Sequence, residues 1–555
     1  MNNDQIVSEL QALIAGDVST DCVDIDSHSR DTSLFQVKPA IVIFPKTQAD
    51  VQAVVKWINE HKADNPDLSI TGRSAGTDMT GGSLNQSIIL SFTKYMNESM
   101  VDIENLSAEV EPGVFYRNFE KQTLPQGITL PCYPASKNLA ALGGMVMNNS
   151  AGERTLRYGQ MRNFVDWVDI VASDGNVYRF GQLSANELAD KAAQDNFEGT
   201  LYRQMKQLID DNYDSIISAK PDVSKNSAGY ALWEIYDKST DTFNLAQLFV
   251  GSQGTLGILV RAGIRLVTEP TDRFMVTVFL KSWEELPAAV NLIKEHDPEE
   301  IEVFDDKTMW LGIRFMPQIA KIAGQPLIKF AAKFLPEMLV GLRMLRMPKL
   351  VLLVEFAESD RASVQDKASA LSQSLQKAKL QHRVIDNINS DEDEKYWTMR
   401  RESFALLRKH VGNKHTAPFV EDFCVATDKL PEFLPRAMKI LKSYGITATI
   451  AGHAGNGNLH IIPLMDLSLK SERAKVVPCA EEFYQLVADY NGSITAEHND
   501  GILRTPFLPV MYGEQVVSLF QQVKDIFDPQ NIFNPGKKVG GTKAYLELHI
   551  TPFKN

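Results

Sequence analysis

The sequence predicts an α+β protein made of two dissimilar parts, and three features lead to this expectation. Strand and helix patterns alternate along the 555 residues, without internal repeats or low-complexity tracts. A stretch rich in glycine and hydroxyl side chains, residues 70–83, follows a short apolar segment in the first part. From about Arg273 the plan changes to longer strands separated by helices, which favours an antiparallel sheet with helices on one face.

Short elements with clear boundary signals characterise the first part. The apolar run at 41–44 predicts a strand. Thr47, followed three residues later by Asp50, predicts the N-cap of a helix that extends to about residue 61. Residues 168–178 contain an Asp-Gly pair between two apolar segments, so we expect a hairpin there.

Strand and helix pairs of a ferredoxin-like sheet are expected in the second part. The predicted strands are residues 274–280 and 349–356, and the predicted helices are residues 283–295 and 362–379. We place the boundary between the two parts at residues 270–272, where the plan changes.

Composition excludes several classes of function. The net charge of −13, from 57 basic and 70 acidic residues, argues against nucleic acid as a partner, because phosphate neutralisation requires a basic surface. The four cysteines are too sparse and scattered for a disulfide framework or an iron–sulfur cluster. The first residues lack the features of a signal peptide, and no apolar run is long enough to cross a membrane. We therefore expect a cytoplasmic location.

Two histidines and a later Glu-His pair are the most informative feature of the sequence. His453 and His460 flank a Gly-Asn-Gly-Asn loop, which predicts a tight turn between two strands that lets both rings face one point. Glu497 adds a carboxylate, and this ligand set is usual for a catalytic divalent metal. His498 is not needed as a metal ligand and is therefore available to transfer a proton. The alternative interpretation is two unrelated surface or core histidines.

The glycine-rich loop at 72–83 has the composition of an anion-binding segment. Its four glycines lie among hydroxyl side chains, which suits a backbone that wraps a pyrophosphate with its N–H groups. It lacks the Gly-Lys-Ser/Thr end of a Walker A loop and does not match Gly-x-Gly-x-x-Gly. Taken alone, the loop is equally typical of an ordinary surface turn.

Several motifs in one order resemble a known group of flavoproteins. The stretches 72–83, 110–114, 143–152, 158–159 and 248–257 are similar to the FAD-binding half of the vanillyl-alcohol-oxidase (PCMH-type) flavoproteins. The later segments 397–401, 419–422, 452–460, 497–501 and 527–537 resemble the FAD-linked D-2-hydroxyacid dehydrogenases, which include D-lactate, glycolate and D-2-hydroxyglutarate dehydrogenases. The residues of these later segments are most similar to those of the flavin half of large bacterial FAD/iron–sulfur oxidoreductases.

This resemblance implies a PCMH-type FAD-binding domain and a ferredoxin-like substrate (cap) domain. The implied order is an N-terminal helical segment at 1–35, the FAD-binding domain at 36–271, the cap domain at 272–512 with a basic, apolar insertion at 309–350, and a C-terminal segment at 513–555 that returns to the FAD domain. FAD is expected to be non-covalent, because the loop at 72–83 contains no histidine. The residues expected to bind it are Arg73, Ser74, Gly76, Thr77, Thr80, Gly81, Gly82, Pro134, Gly143, Gly144, Asn148, Ser150, Gly152, Tyr158, Gly257, Ile258 and Asn534.

Oxidation of a 2-hydroxyacid assigns roles to the remaining residues. A divalent metal, with zinc expected, would lower the pKa of the substrate hydroxyl. His498 would accept the hydroxyl proton while hydride leaves for the flavin. Arg400, or its neighbour Arg401, would bind the substrate carboxylate with a guanidinium fork. The alternative for these arginines is a solvated helix face.

A few residues depart from the family pattern. Gln253 stands where Glu is usual, Asn456 where Asp is usual, and Asn499 where Gly is usual, and none of these removes a proposed ligand. Val420 and Ile462 stand where the hydroxyglutarate enzymes place Lys and Asn. We therefore expect a small or apolar 2-hydroxyacid as substrate, with D-lactate the first to test.

The segment 309–350 differs from the rest of this acidic chain. It contains seven basic residues and one acidic residue among many apolar side chains. Basic amphipathic helices of this kind can lie on an anionic membrane, which would place the protein peripherally on the inner face of the plasma membrane, beside quinone. The alternative is a helical insertion packed on the substrate domain. Because cluster-binding cysteines are missing, the expected acceptor is quinone or a redox protein.

Three classes of function remain open at this point. The leading one is a metal-assisted, FAD-dependent D-2-hydroxyacid dehydrogenase. The second is a metal-independent flavin oxidase that uses oxygen, in which the two histidines would be structural. The third is a flavin subunit that transfers electrons within a larger complex.

Overall fold

The computed structural model describes residues 3–322, 326–334, 344, 347–386, 395–397 and 414–552. Two groups of sheets organise these residues. A four-stranded sheet, a seven-stranded sheet and a two-stranded ribbon lie in the first half of the chain, and an eight-stranded sheet lies in the second half.

The four-stranded sheet leads into the glycine-rich loop. Its spatial order is β1 (Asp17–Ser19), β2 (Ile41–Phe44), β4 (Ile88–Ser91) and β3 (Ile70–Arg73), and β4 runs parallel to both β2 and β3. Apolar side chains of the helices Asn3–Leu13 and Gln48–His61 pack on this sheet. The glycine-rich loop therefore follows directly from the buried strand β3, which is held in place by its pairing with β4.

The seven-stranded sheet is antiparallel throughout. Its order is β10 (Tyr236–Asp237), β11 (Thr242–Asn244), β9 (Val177–Ser184), β8 (Val165–Val171), β12 (Ile258–Arg265), β6 (Ser107–Val110) and β5 (Ser99–Asp102). The ribbon pairs β7 (Ile128–Thr129) with β13 (Val267–Thr268). Helix Leu508–Phe527 packs on helix Phe197–Ser218, so the end of the chain contacts the first half.

The eight-stranded sheet carries the histidine loop. Its order is β17 (Gln381–Asp386), β14 (Asp272–Leu280), β16 (Leu350–Glu358), β15 (Glu300–Asp305), β20 (Thr447–His453), β21 (Asn458–Met465) and β18 (His415–Thr416), and β19 (Asp422–Cys424) also pairs with β21. The described pairings are antiparallel.

Helices complete the described fold. Those not yet named are Cys22–His28, Tyr116–Thr123, Leu142–Asn148, Thr155–Tyr158, Ala185–Ala192, Ala246–Phe249, Leu286–Lys294, Asp306–Arg314, Met316–Ile322, Leu327–Ala332, Arg361–Lys377, Leu430–Ser443, Lys470–Arg473, Val476–Asp489, Gly501–Arg504 and Lys543–His549. In the part of the chain that the structure describes, no helix combines the length and apolar character needed to cross a membrane.

Most local predictions for these elements are confirmed. The strand at Ile41–Phe44 and the helix at Gln48–His61 form where expected, and Thr47 Oγ1 accepts the N–H of Asp50 at 3.3 Å as the predicted N-cap. The expected hairpin is β8 paired with β9. The helix predicted at 283–295 begins instead as a 3₁₀ turn, because a proline occupies its first α-helical turn.

The helices of the second part are not confined to one face of the large sheet. Leu286–Lys294, Arg361–Lys377 and Leu430–Ser443 share one face, as expected. On the opposite face, Met309 and Met344 pack against strand residues in a second apolar cluster. Met309 and Met344, near the two ends of the segment 309–350, therefore pack on the same face of the sheet that carries His453.

Candidate active site

One cavity joins the two motifs that the sequence singled out. It has a volume of about 620 Å³ and extends from the glycine-rich loop at 72–83 to His453, His460, Glu497 and His498. A cavity of this size suits a ligand held mainly by backbone and apolar contacts, with a few polar groups to orient it. The first half of the chain supplies one end of the cavity, and the large sheet supplies the other.

The wall from the first half contains most of the predicted cofactor residues. Gly143 marks a close approach of two backbones, because a Cβ there would lie 2.5 Å from Pro112 Cα. The predicted cofactor residues that line the cavity are Ser74, Gly76, Thr77, Gly82, Pro134, Gly143, Gly144, Asn148, Ser150, Gly257 and Ile258. Their role in holding FAD stays a prediction.

Three further predicted cofactor residues lie behind this wall. Arg73 is buried, and its Nη2 donates to the carbonyl of Arg30 at 2.7 Å. Thr80 Oγ1 donates to Asp78 Oδ2 at 3.0 Å, and Gly81 has a left-handed φ of 81°. These residues shape the loop instead of facing the cavity.

The last three predicted cofactor residues, Asn534, Gly152 and Tyr158, also lie outside the lining of the cavity. Asn534 Nδ2 donates to the carbonyls of Gly82 and Gln253, at 2.8 and 2.7 Å, and so ties the C-terminal segment to two turns of the cavity. The Gly152 carbonyl accepts from a buried lysine Nζ at 3.3 Å. Tyr158 packs beside an arginine guanidinium, which lies 5.1 Å from its ring centre.

The two histidines face one point because of the register of their strands. A 3₁₀ turn, Ala454–Asn456, joins β20 to β21, so the predicted turn between two strands is confirmed. His460 lies opposite Ala451, which is two residues before His453 and on the same face of the sheet. Glu497 Oε1 lies 3.3 Å from Nε2 of each histidine.

The ligand atoms of this triad fit a tetrahedral metal ion. His453, His460 and Glu497 each offer one ligand atom, a ring nitrogen or a carboxylate oxygen, and these three atoms all lie within 4.8 Å of one another. Ligand atoms about 2.0–2.1 Å from a tetrahedral zinc ion lie about 3.3 Å apart, which matches the separations of Glu497 Oε1 from the two nitrogens. The donor set and spacing therefore suit zinc or a similar divalent metal.

Buried carboxylates hold the far side of each ring. Glu302 lies on β15 and is hydrogen-bonded to Nδ1 of His453. Glu421 Oε2 lies 3.3 Å from Nδ1 of His460. A carboxylate at Nδ1 fixes the tautomer that directs Nε2 to a metal, so both rings are oriented as ligands.

His498 lies beside the triad and faces the cavity. Its Nδ1 is 2.9 Å from Glu421 Oε1, and its Nε2 is 3.8 Å from Glu497 Oε1. Asp422 Oδ2 accepts its backbone N–H at 2.7 Å. The ring is stacked on His460 with 5.3 Å between ring centres. His498 is thus near the triad without completing it.

Charge within the cluster shifts the pKa values of the histidines. Burial alone would lower the pKa of His460, but hydrogen bonds to Glu421 and Glu497 raise it to about 10. Burial would also lower the pKa of His498, whereas the charges of Glu421 and Asp422 raise it to about 9. The cluster without metal therefore binds protons that a divalent cation would displace.

The glutamate of the triad is held as an anion. Burial alone would raise the pKa of Glu497, but the charges of Lys225 and His453 hold it well below its usual value. Lys225 Nζ lies 3.2 Å from Glu497 Oε2. A carboxylate that is ionised before a metal arrives is a ready ligand.

Several functional candidates were missed from the sequence. The sequence gives no expectation for Glu302 and Lys225, and Glu421, Asp422 and Arg504 contribute only to the family resemblance, without a role of their own. Charged side chains within the apolar strand Glu300–Asp305 are a signal that could have pointed to Glu302. Lys225 offers no comparable local signal.

The predicted substrate arginine lies outside the described residues. Arg400 and Arg401 belong to the part of the chain between residues 397 and 414, so their role stays a prediction. Asn499, where the family has Gly, has a φ of 70°, in the left-handed region that favours glycine and that asparagine tolerates. Ile462 lines the cavity, whereas Val420 is buried in the core.

Two family models match this chain. The FAD binding domain matches residues 39–181, and the C-terminal domain of FAD linked oxidases matches residues 269–538. The chain therefore has the two-domain composition of the FAD-linked oxidases, which confirms the family resemblance of its motifs. The boundary predicted at 270–272 and the outer domain limits stay predictions.

Two relatives carry more specific names. D-2-hydroxyglutarate dehydrogenase of Escherichia coli (strain K12) is 27% identical over 541 residues, which cover 94% of this chain and 50% of that protein. D-lactate dehydrogenase of Archaeoglobus fulgidus is 26% identical over 502 residues, which cover 90% of this chain and 91% of that protein. The chain spans about half the length of four D-2-hydroxyglutarate dehydrogenases that it matches, each over 50% of its length.

The fold also matches that of a solved structure. The structure of p-cresol methylhydroxylase with substrate bound superimposes with a TM-score of 0.68 at 17% identity, covering 98% of this chain and 97% of that chain. This likeness confirms the expected PCMH-type fold of mixed helices and sheets.

Proposed function

We propose that the chain is an FAD-dependent, metal-assisted dehydrogenase that oxidises a D-2-hydroxyacid to the 2-oxoacid. The observation that supports this best is the single cavity that runs from the glycine-rich loop to the triad. A 2-hydroxyacid must lose a proton from its hydroxyl and a hydride from Cα, so it needs a base and a hydride acceptor in one space. The names of the relatives agree with this reaction class.

The two bound groups would divide the chemistry. When bound, FAD supplies the hydride acceptor, and the divalent metal supplies a Lewis acid toward the substrate hydroxyl. His453, His460 and Glu497 would hold the metal. Glu302 and Glu421 keep the two imidazoles in the orientation that ligation needs.

His498 is the proposed proton acceptor. Its Nδ1 is engaged by Glu421, so Nε2 is the nitrogen left for the substrate hydroxyl. General-base catalysis of this kind typically contributes about 10²- to 10⁴-fold to the rate. Stacking on His460 holds the His498 ring beside the triad.

The substrate is proposed to have a small or apolar side chain. Ala451, Ile462 and Thr416 line the cavity beside the triad and carry no charge. Within the described residues, the cavity lining contains neither lysine nor arginine to pair with a second carboxylate. D-Lactate is therefore the first substrate to test, ahead of D-2-hydroxyglutarate.

The decisive test is anaerobic bleaching of the flavin. Purified protein would be mixed with a panel of D- and L-2-hydroxyacids, before and after chelation, and flavin absorbance recorded. We expect bleaching by a D-2-hydroxyacid, its loss on chelation and its return with zinc. Bleaching that survives complete metal removal would favour the metal-independent oxidase, and absence of bleaching by every acid would reject the proposed function.

A quinone at an anionic membrane surface is the proposed electron acceptor. In the segment 309–350, Trp310 and Ile328 are 59% and 85% exposed, and Arg314 and Lys321 lie nearby in sequence. Basic and apolar side chains together favour the surface of an anionic bilayer. We expect binding to phosphatidylglycerol vesicles that weakens as salt rises, since charges are screened within about 10 Å at 0.1 M salt. No binding at low salt would leave the segment as a packed insertion.

A further inference from the structure

Lys225 reaches the triad from the first half of the chain. Its side chain is completely buried, and Nζ lies 3.2 Å from Glu497 Oε2 and 3.3 Å from Asn458 Oδ1. Nζ also donates to the carbonyl of Gly152 at 3.3 Å. A buried ammonium group is unfavourable unless it is paired. The ammonium group of Lys225 therefore connects Gly152, a predicted cofactor residue, with Asn458, which follows the turn between the two histidines, and with the candidate metal ligand Glu497.

The two oxygens of Glu497 have different partners. Oε1 lies 3.3 Å from Nε2 of His453 and of His460, at the point where a metal would bind. Oε2 is taken by Lys225. A carboxylate held in this way offers a cation one oxygen instead of two.

The residues on either side of Lys225 are hydrogen-bonded to both loops that carry the triad. Ser224 Oγ donates to the carbonyl of Asn456, in the turn between the two histidines, at 3.0 Å. The N–H of Ser227 donates to the carbonyl of Thr495, two residues before Glu497, at 3.1 Å. The segment 224–227 thus fixes the distance between the histidine loop and the glutamate loop.

We infer that Lys225 is a positioning residue that holds Glu497 as a one-oxygen metal ligand, so that the first half of the chain completes a metal site carried by the second half. The inference rests on the proposed function in that it takes the triad as a metal site. It does not depend on the identity of the substrate. Without Lys225, Oε2 is free to approach the ion as well, and the coordination number rises.

Cobalt(II) spectroscopy on the full chain tests this role. Four-coordinate cobalt(II) absorbs visible light more strongly than five- or six-coordinate cobalt(II), so absorption per bound ion reports coordination. Chelated protein would be loaded with cobalt(II), and bound metal measured separately. We expect Lys225→Met to bind cobalt with at least a twofold loss of absorption per ion. If this variant does not fold, Lys225→Gln is measured in the same way with the same expectation.

Lys524→Met is the matched control. Lys524 is also buried, and its Nζ pairs with Asp528 at 2.5 Å, but it has no contact with the triad. Its loss should lower thermal stability and leave the cobalt spectrum unchanged.

Each contrary outcome has a separate meaning. A wild-type spectrum in the Lys225 variants would overturn the inference and leave the metal site standing. An equal spectral change in the Lys524 variant would overturn it as well, because the effect would then be general loss of packing. Failure of the wild-type protein to bind cobalt(II) or zinc would reject the metal site, and with it both this inference and the metal-assisted part of the proposed function.

Discussion

Glu421 and His498 are joined by a 2.9 Å contact between Oε1 and Nδ1, although both belong to loops and lie 77 residues apart in sequence. The second oxygen of Glu421 lies 3.3 Å from Nδ1 of His460. Arg504, which is completely buried, donates to the same carboxylate at 2.9 Å. One carboxylate therefore orients both a candidate metal ligand and the candidate base.

Replacing Glu421 should impair metal binding and proton transfer together. In Glu421→Gln, we expect zinc affinity to fall by about 10–100-fold, the usual effect of losing such a partner. The rate of flavin reduction should stay low at saturating zinc, because His498 has also lost its carboxylate. Chelator competition and stopped-flow absorbance measure the two effects.

Glu302→Gln is the comparison variant, since Glu302 is hydrogen-bonded to Nδ1 of His453, whereas Glu421 contacts both His460 and His498. Its zinc affinity should fall, and saturating zinc should restore most of the rate. Equal behaviour of the two variants would contradict the double role of Glu421.

Substitutions of the histidines should separate ligand from base. His453→Ala and His460→Ala should lower metal content and activity together, because each removes one of three protein ligands. His498→Ala should keep FAD and metal and lose about 10²- to 10⁴-fold or more in rate, without rescue by added substrate. Metal analysis and steady-state kinetics provide the measurements. Loss of metal from the His498 variant alone would reverse the assignment.

Metal binding should release protons at neutral pH. The pKa of His460, a proposed metal ligand, is raised to about 10 without metal, so its ring is protonated at pH 7.5. The pKa of His498 is raised to about 9, and the charge of a bound divalent cation would lower it, which would leave the proposed base neutral. Because a ligand histidine must be neutral, zinc addition should acidify a weakly buffered solution, and zinc affinity should increase with pH until these groups have titrated. An indicator dye records the release. Zinc binding without acidification would show that zinc does not displace a proton from His460.

The same shifts predict how stability depends on pH in the chelated protein. A histidine whose pKa is raised on folding stabilises the folded state fully below pH 6.5, and this stabilisation is lost as pH increases through about 9–10. The melting temperature of chelated protein should therefore fall between pH 7 and pH 10 by more than that of zinc-loaded protein. Parallel curves would contradict the shifts.

Ile462 should limit the size of the substrate side chain. Ile462→Ala removes about three carbon atoms from the cavity wall, each worth about 0.8 kcal/mol when buried against substrate. We expect kcat/KM to rise for 2-hydroxyacids with longer apolar chains and to fall or stay level for D-lactate. Leu464→Ala, a buried change on the same strand but outside the cavity lining, is the control. An unchanged substrate preference would place the substrate elsewhere in the cavity.

The contact between the two halves of the chain should depend on Arg154. Its Nη2 lies 2.8 Å from Glu299 Oε1, and Glu299 is completely buried. Arg273 Nη1 also lies 2.8 Å from Glu299 Oε2, so Arg154→Met removes one of two guanidinium partners and should cost about 1.5–3 kcal/mol of unfolding free energy, the usual range for a hydrogen bond to a charged group. Arg179→Met breaks a pair whose arginine is 54% exposed and should cost about 1 kcal/mol or less. Denaturant unfolding measures both, and equal costs would contradict the buried role of Arg154.

Local signals in the sequence were sufficient for much of the fold. The Thr47 cap, the hairpin of β8 and β9, and the turn between His453 and His460 each depend on side chains a few residues apart. Caps, turns and strand alternation act over such distances, so their residues can be recognised without knowing the rest of the chain. The two histidines were predicted to meet on the same basis, whereas Glu497 was predicted because a carboxylate completes a usual ligand set for a catalytic divalent metal.

The outer contacts of the site were decided by tertiary structure alone. Lys225 and Glu497 are 272 residues apart in sequence, and Glu302 and His453 are 151 residues apart. A buried charge is stable only where a partner meets it, and that partner is set by how the sheets and halves of the chain pack. Sequence patterns therefore determined which side chains could bind a metal and move a proton, whereas the packing determined which charges hold them in place.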